Sequence, residues 1–230
     1  MTKTMIKAWI AVFLAVTTCA VVITLAQDSD NNPPEVISAT DAYLPYQIMF
    51  DGFVVLDVSL DAKGNVTGVT ALRDPGSLVP AATTSVRTWK FRPASAGRDP
   101  RSSEMTVAFV YRPPNGGPAQ TVPPKNFQPV LPGPPTDGGL DYVPPGIISV
   151  TYPDYPVDSV ARGSVVIQIT VDPSGKAEGT QVLRGMVRFT DLALSALGKW
   201  RFQPATLRGK PTPSKLVVAF IFQTPTPSGN

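Results

Sequence analysis

The sequence contains no histidine, and its one cysteine, Cys19, lies inside an apolar run near the N-terminus. The chain therefore lacks the usual general base, the thiol nucleophile outside that run, and the imidazole and thiolate ligands of most metal sites. A single cysteine also excludes an intramolecular disulfide framework. We predict that the protein is not an enzyme, that it binds no metal or cofactor, and that packing alone stabilises its domains.

Excess charge of one sign is also missing. The 230 residues include 20 lysines and arginines against 17 aspartates and glutamates, a net charge of +3. The basic residues are scattered along the chain and form no stripe that could neutralise phosphates. We therefore predict no binding to nucleic acid.

The N-terminus has the features of an export segment. Lys3 and Lys7 precede an uncharged apolar run from Ala8 to Ala26, which is followed by Gln27. The pattern fits a cleaved signal peptide and also comes close to the length of a membrane anchor, so both readings stay open for residues 1–26. The two lysines favour a cytoplasmic N-terminus in either case, and we expect everything after Gln27 to be exported.

The rest of the chain contains two copies of one pattern. At an offset of 111 positions, 18 of the 61 residues from Asp51 to Tyr111 are identical to those from Arg162 to Phe222, with no gap. Chance on average composition would give roughly one identity in fifteen. The shared residues include Gly52, Gly64, Trp89, Phe91 and Phe109, which align with Gly163, Gly175, Trp200, Phe202 and Phe220.

Each copy begins with an alternating strand. The apolar positions are Val54, Leu56, Val58 and Leu60 in copy one and Val165, Ile167, Ile169 and Val171 in copy two. A turn that opens with Asp and contains Gly follows each strand, which predicts a hairpin. The apolar spacing then becomes helical up to Trp89 or Trp200, and a last strand follows. The sequence thus predicts an α+β fold of two tandem β-β-α-β units, each a three-stranded antiparallel sheet with one helix on one face.

The last strand of each unit is predicted to lie at a free edge. It must pair with the first strand, because a place beside the second would make it parallel. In copy two, its solvent side would then carry Val217, Ala219 and Ile221, which are apolar where polar residues are expected.

Composition divides the chain into segments. Eleven prolines lie between Pro113 and Pro145, which predicts an extended linker. We expect a disordered leader at 27–44, a first domain at 45–112, a Pro/Gly-rich linker at 113–149, a second domain at 150–224 and a disordered tail at 225–230.

The second copy resembles the C-terminal domain of TonB family proteins. The residues that carry the resemblance are Ala161-Arg162-Gly163, Gly175, Trp200-Arg201-Phe202-Gln203-Pro204-Ala205 and Val217-Val218-Ala219-Phe220-Ile221-Phe222. Copy one keeps Gly52, Gly64, Trp89-Lys90-Phe91-Arg92-Pro93-Ala94 and Val107-Ala108-Phe109. The resemblance implies a periplasmic β-β-α-β domain that binds a short extended segment of an outer-membrane transporter by strand addition along its third strand.

Carried over, the implied partner-binding residues are Lys215, Leu216, Val217, Val218, Ala219, Phe220, Ile221 and Phe222, and the corresponding strand of copy one is Met105–Tyr111. An exposed edge would offer a partner unpaired main-chain groups. The edge could instead be covered by the other copy, by the linker or by a homodimer partner.

Three hypotheses follow for the function. The first is an exported periplasmic protein that binds a peptide or protein by strand addition. The second is an inner-membrane anchored TonB energy transducer, although such proteins resemble one another in an anchor that carries a histidine. The third is a structural module whose edges pair with each other.

Overall fold

The computed structural model describes residues 31–42, 52–73, 76–112, 127–133, 141–154 and 162–222. The predicted signal or anchor at 1–26 and the predicted tail at 225–230 lie outside these ranges. Among the described residues, no helix is both long enough and apolar enough to cross a membrane.

The first repeat begins upstream of its predicted boundary. Its elements are β1 (Asn31–Asn32), β2 (Glu35–Ser38), β3 (Gly52–Leu60), β4 (Val66–Arg73), α1 (Val79–Arg87), β5 (Lys90–Arg92), β6 (Ala94–Ala96), β7 (Asp99–Arg101) and β8 (Ser103–Arg112).

The second repeat has the same elements in the same order. They are β9 (Tyr142–Val143), β10 (Gly146–Ser149), β11 (Gly163–Val171), β12 (Ala177–Arg184), α2 (Phe189–Leu197), β13 (Arg201–Gln203), β14 (Ala205–Leu207), β15 (Lys210–Thr212) and β16 (Ser214–Phe222). The offset of 111 holds for the short strands at the start of each repeat as well as for the long ones.

The predicted hairpins form because the turn residues suit them. Asp61 accepts hydrogen bonds on its Oδ1 from the main-chain N–H groups of Lys63 and Asn65, each at 2.8 Å. Gly64 has a φ of +83°, and an added Cβ there would lie 2.3 Å from the main-chain oxygen of Phe91. Only glycine fits this combination of positive φ and close approach.

The α+β class is confirmed, but the two units do not form separate sheets. One six-stranded sheet has the order β12-β11-β16-β8-β3-β4, with β16 and β8 parallel and in contact. The last strand of each repeat does pair with its first strand, as expected. Its other border, expected to be free, is paired with the last strand of the other repeat, so the prediction of an open edge is wrong.

The register of the central pair puts the two helices on opposite faces. Val217 pairs with Val107, an offset of 110, whereas the repeats are related by 111. Because successive side chains of a strand point to opposite faces, equivalent residues such as Val107 and Val218 lie on opposite faces of the sheet. α1 therefore covers one face of the sheet and α2 covers the other.

Two apolar cores result, and each contains residues of both repeats. The α1 side holds Leu56, Phe109 and Trp89 together with the outward-facing Val217, Ala219 and Ile221 of the second repeat. The α2 side holds Phe220 and Trp200 together with the outward-facing Phe53, Val55, Ala108 and Val110 of the first. The apolar residues expected on the solvent side of β16 are thus fully buried. Burial of a valine or isoleucine side chain such as Val217 or Ile221 contributes about 1.5–3 kcal/mol, so the repeats stabilise one another.

The predicted disordered leader is wrong for residues 31–42. β1 pairs with β6, and β2 pairs with β5. The end of the predicted linker is likewise ordered, with β9 paired to β14 and β10 paired to β13. In both repeats the short strand β2 or β10 extends from its own repeat onto the sheet of the other.

We predict that the second repeat cannot stay monomeric when it is produced alone as residues 141–224. It would expose the unpaired border of β16 together with Val217, Ala219 and Ile221, which favours pairing between two copies. Sedimentation over a range of concentrations should give dimers or larger species, and residues 27–230, in which β8 covers β16, should associate less and serve as the control. A stable monomer of the isolated repeat would contradict this account of the central pair.

Candidate functional site

The predicted partner-binding residues occupy the centre of the sheet. Lys215 is half-buried, and Leu216 to Phe222 are all fully buried within β16. β11 lies on one side of this strand and β8 on the other. A partner strand could pair with Lys215–Phe222 only where β8 now lies. The binding role of these residues therefore stays a prediction, while their exposure on a free edge is wrong.

The leader, residues 31–42, covers the second repeat through polar contacts. The main-chain N–H of Val36 donates to Gln168 Oε1 at 2.8 Å, and that of Ala42 donates to Ser164 Oγ at 3.0 Å. Ser164 in turn donates to Asp41 Oδ1 at 2.5 Å. These bonds join the first repeat's leader to β11 of the second repeat.

Two acidic residues of the leader also form ion pairs with basic residues of both repeats. Glu35 forms ion pairs with Arg92 of its own repeat and with Lys215, the first of the predicted partner-binding residues. Asp41 accepts from Arg184 at 3.0 Å. The Asp41–Arg184 ion pair is substantially exposed, so it contributes little stability by itself. It helps to hold the leader in place over the sheet.

Residues 141–154 cover the first repeat in the equivalent place, mainly through apolar contacts. Ile147, Val150 and Tyr152 are buried in the same core as Phe53 and Val55. Hydrogen bonds fix the segment at two points: Thr106 Oγ1 donates to the Pro145 oxygen at 2.8 Å, and Trp200 Nε1 donates to the Thr151 oxygen at 2.9 Å. The leader is thus the more polar of the two covering segments.

Asp57 places a buried carboxyl group beneath residues 141–154, where the other contacts are mainly apolar. It occupies the position equivalent to Gln168, but its Oδ1 is buried and has no hydrogen-bond partner within the described part of the chain. Burial, with a smaller contribution from the negative charge of Glu104, raises the pKa of Asp57 to about 7. The carboxyl group is therefore substantially protonated in the folded protein near neutral pH.

We predict that Asp57→Asn stabilises the protein more at pH 8 than at pH 4. The folded-state pKa lies above the unfolded value of about 3.9, so unfolding releases a proton between these values, and stability falls as pH rises from about 4 to 7. An amide removes this dependence, and the gain at pH 8 over that at pH 4 should be on the order of 4 kcal/mol, because each pKa unit between the folded and unfolded values corresponds to about 1.4 kcal/mol. Urea unfolding at several pH values measures it.

Asp61→Asn provides the control for this experiment. The pKa of Asp61 is lowered, chiefly by the side-chain hydrogen bond from Asn65. The Asp61 carboxylate lies in the turn between β3 and β4, where it is exposed to solvent. Its stabilising contribution is present above the unfolded pKa and is lost as the pH falls. Asp61→Asn should therefore lower stability at neutral pH and have little effect in acid. An unchanged pH profile in Asp57→Asn would contradict the burial argument.

Sequence reasoning missed the covering segments and the polar residues that hold the leader, namely Glu35 and Asp41 of the leader and Ser164 and Gln168 of β11. A signal was present, because the repeat continues upstream of Asp51. Pro33-Pro34, Ile37-Ser38 and Thr40 align with Pro144-Pro145, Ile148-Ser149 and Thr151 at the same offset of 111. A repeated segment is expected to have the same structure in both copies.

Within the ranges that the structure covers, no three acidic, histidine or cysteine side chains are grouped so that they could hold a metal ion. Asp61 and Asp172 accept hydrogen bonds within their turns, and Glu35 and Asp41 make the leader contacts. The arrangement instead offers main-chain pairing and apolar burial, which are the means of protein recognition.

Comparison with known proteins identifies one family. The model described as Gram-negative bacterial TonB protein C-terminal matches residues 49–113 and 149–224, one match in each repeat. The searches of curated proteins and of solved structures gave no match.

Proposed function

Because the chain belongs to the Gram-negative bacterial TonB protein C-terminal family, we propose that it is an exported TonB-like protein that binds a protein partner in the periplasm. The family is a non-enzymatic, protein-interaction family associated with transport, so the partner is a protein, and an outer-membrane transporter segment is the partner that family membership favours. Binding would occur by strand addition to Lys215–Phe222 or to the equivalent strand of the first repeat.

The parallel pairing of β8 with β16 is the observation that carries this proposal. Six residue pairs from Val107 with Val217 to Arg112 with Phe222 join the strands. Each last strand thus lies where a strand added to the other repeat would lie. This supports a binding mode in which a partner competes with the chain's own pairing.

Such competition would weaken the apparent affinity for a partner. If only a fraction of the molecules have β8 and β16 apart, the apparent dissociation constant is the intrinsic one divided by that fraction. Separation also exposes apolar residues on both faces of the sheet, so the open fraction is small. A partner must therefore replace main-chain bonds and cover apolar surface.

A disulfide between the two strands tests the competition. Ala108 pairs with Val218, and both side chains lie in the same core. Neighbouring strands are separated by a distance that a disulfide can span. We would introduce Ala108→Cys and Val218→Cys into the full chain with Cys19→Ser, so that only the two new thiols can pair.

The probe is a synthetic peptide of residues 104–112, the sequence that β16 pairs with in the chain. Strand addition predicts that the reduced variant binds this peptide weakly and that the oxidised variant loses the binding by at least about tenfold, because the staple holds β8 in place. Calorimetry or fluorescence anisotropy measures the affinity, and reduction of the same sample is the control. Equal binding by both forms would refute strand addition at the central pair.

A structural module is the second candidate, and the same pairing favours it. In that case the two edges pair only to build a rigid unit, and partners bind elsewhere. Oxidation would then leave the capture of a transporter segment unchanged, whereas under the first proposal it would abolish capture.

An inner-membrane anchored transducer is the third candidate, favoured by the family and by the apolar run at residues 8–26. Retention of the uncleaved N-terminus in the membrane fraction, together with loss of transporter-mediated uptake on deletion, would favour it. A mature protein that begins at Gln27 would exclude the anchor.

A further inference from the structure

A second place for an extended segment lies at the outer edge of β10. One edge of β10 pairs with β13, and the other receives residues 127–133 of the linker through a single bridge. The N–H of Val130 donates to the Ile147 oxygen at 2.8 Å, and the N–H of Ile147 donates to the Val130 oxygen at 2.9 Å. Val130 is only 6% exposed and belongs to the core that contains Ile147.

An aromatic residue three positions before Val130 adds a second anchor. The ring of Phe127 lies edge-on to Phe53, with 5.5 Å between the centroids. The guanidinium of Arg73 lies 5.0 Å from the centre of the Phe127 ring and 5.7 Å from that of Phe53. Arg73 therefore interacts with both rings through cation–π contacts.

Gly146 makes room for this segment. A Cβ at position 146 would lie 2.8 Å from Leu131 Cδ2 and 3.1 Å from the main-chain oxygen of Val130. The equivalent residue of the first repeat is Glu35, whose side chain bonds to Arg92 and Lys215. Among the described residues, β2 pairs only with β5. Within the described residues, the second repeat is thus the one with space for an added segment at this edge.

The group that accepts a hydrogen bond from the main-chain N–H of this strand also differs between the repeats. On β2, the N–H of Val36 is taken by the side chain of Gln168. On β10, the equivalent side chain is Asp57, which is one methylene shorter, and the N–H of Ile147 bonds to the linker instead. The shorter side chain of Asp57 thus leaves the N–H of Ile147 available to the main-chain oxygen of Val130 in the linker.

Linker residues 127–133 are held at β10 by so few contacts that another segment could replace them. Pro129 and Pro132 flank Val130-Leu131, and Pro132 has no N–H, so the segment cannot extend its ladder past the bridge on that side. Prolines also keep the segment extended before it binds, which lowers the entropy cost of docking. Attachment is therefore local and depends on two side chains and two hydrogen bonds.

We propose that the outer edge of β10 is a docking site for an extended protein segment with an aromatic residue three positions before a proline-flanked aliphatic residue, and that linker residues 127–133 occupy it in cis. A partner segment of this chemistry binds by displacing the linker. The site is separate from the pairing of β8 with β16, and it does not depend on strand addition at Lys215–Phe222.

Binding in trans to a variant of the full chain tests the proposal. The probe is a labelled peptide of residues 126–133, and the variant is Val130→Asp, which puts a charge at the buried anchor of the linker. In the wild-type chain the tethered segment competes at an effective concentration on the order of millimolar. We expect Val130→Asp to bind the peptide at least about tenfold more tightly than wild type, measured by fluorescence anisotropy in mild detergent.

Two controls locate the binding. Gly146→Glu in the Val130→Asp background restores the residue type of the first repeat and should abolish binding. A peptide with Asp in place of Val130 should not bind. Hydrogen exchange should show the Ile147 amide losing protection in Val130→Asp and regaining it when the peptide is added.

The proposal is wrong if a folded Val130→Asp chain binds no better than wild type, or if Gly146→Glu leaves binding intact. Urea unfolding checks that the variant is folded. If it is not, Phe127→Ala with Val130→Ala, which removes both anchors without burying a charge, is measured by the same criteria. Affinity of the β8-β16 disulfide variant for this peptide should be the same oxidised and reduced, which separates the two sites.

Discussion

The in-register parallel pairing of β8 with β16 is the constraint on which the rest of the structure depends. Paired residues of β8 and β16 are 110 positions apart, whereas equivalent residues of the two repeats are 111 positions apart. Equivalent side chains therefore point to opposite faces of the sheet. One helix therefore lies on each face, and each repeat covers the outward-facing apolar residues of the other. A shift of one residue would place both helices on the same face and leave Val217, Ala219 and Ile221 without a core.

The same pairing joins stability to recognition. An edge strand is the part of a small sheet that a partner can extend, and it is also a liability for aggregation. In this chain the two edges protect one another, with the covering segments at residues 31–42 and 141–154 closing the outer faces. Under the proposed function, partner binding at β16 would be a competition within a folded molecule, and the polar contacts of Glu35, Asp41 and Gln168 would belong to the form without a partner.

The repeats have diverged where their surroundings differ. Gln168 and Lys215 of the second repeat meet the polar leader, whereas Asp57 and Glu104 hold the equivalent positions of the first beneath the apolar segment 141–154. Asp57 has a raised pKa there because its carboxyl group is buried next to a like charge. At the neighbouring edge, Gly146 replaces Glu35 and accepts the linker. Small changes in a duplicated scaffold thus create different surfaces on its two halves.

The sequence by itself determined the local structure. Alternation in Val54–Leu60 and Val165–Val171, the Asp and Gly residues of the turns, and the helical spacing up to Trp89 and Trp200 are short-range patterns, and they specify strands, hairpins and helices without a partner. Only the tertiary structure decided which edges meet. That pairing depends on register between strands more than 100 residues apart, and on apolar faces that any covering surface would satisfy. The unexpected apolar side of β16 indicated that something covers it, but only packing of the whole chain determined that the other repeat does so.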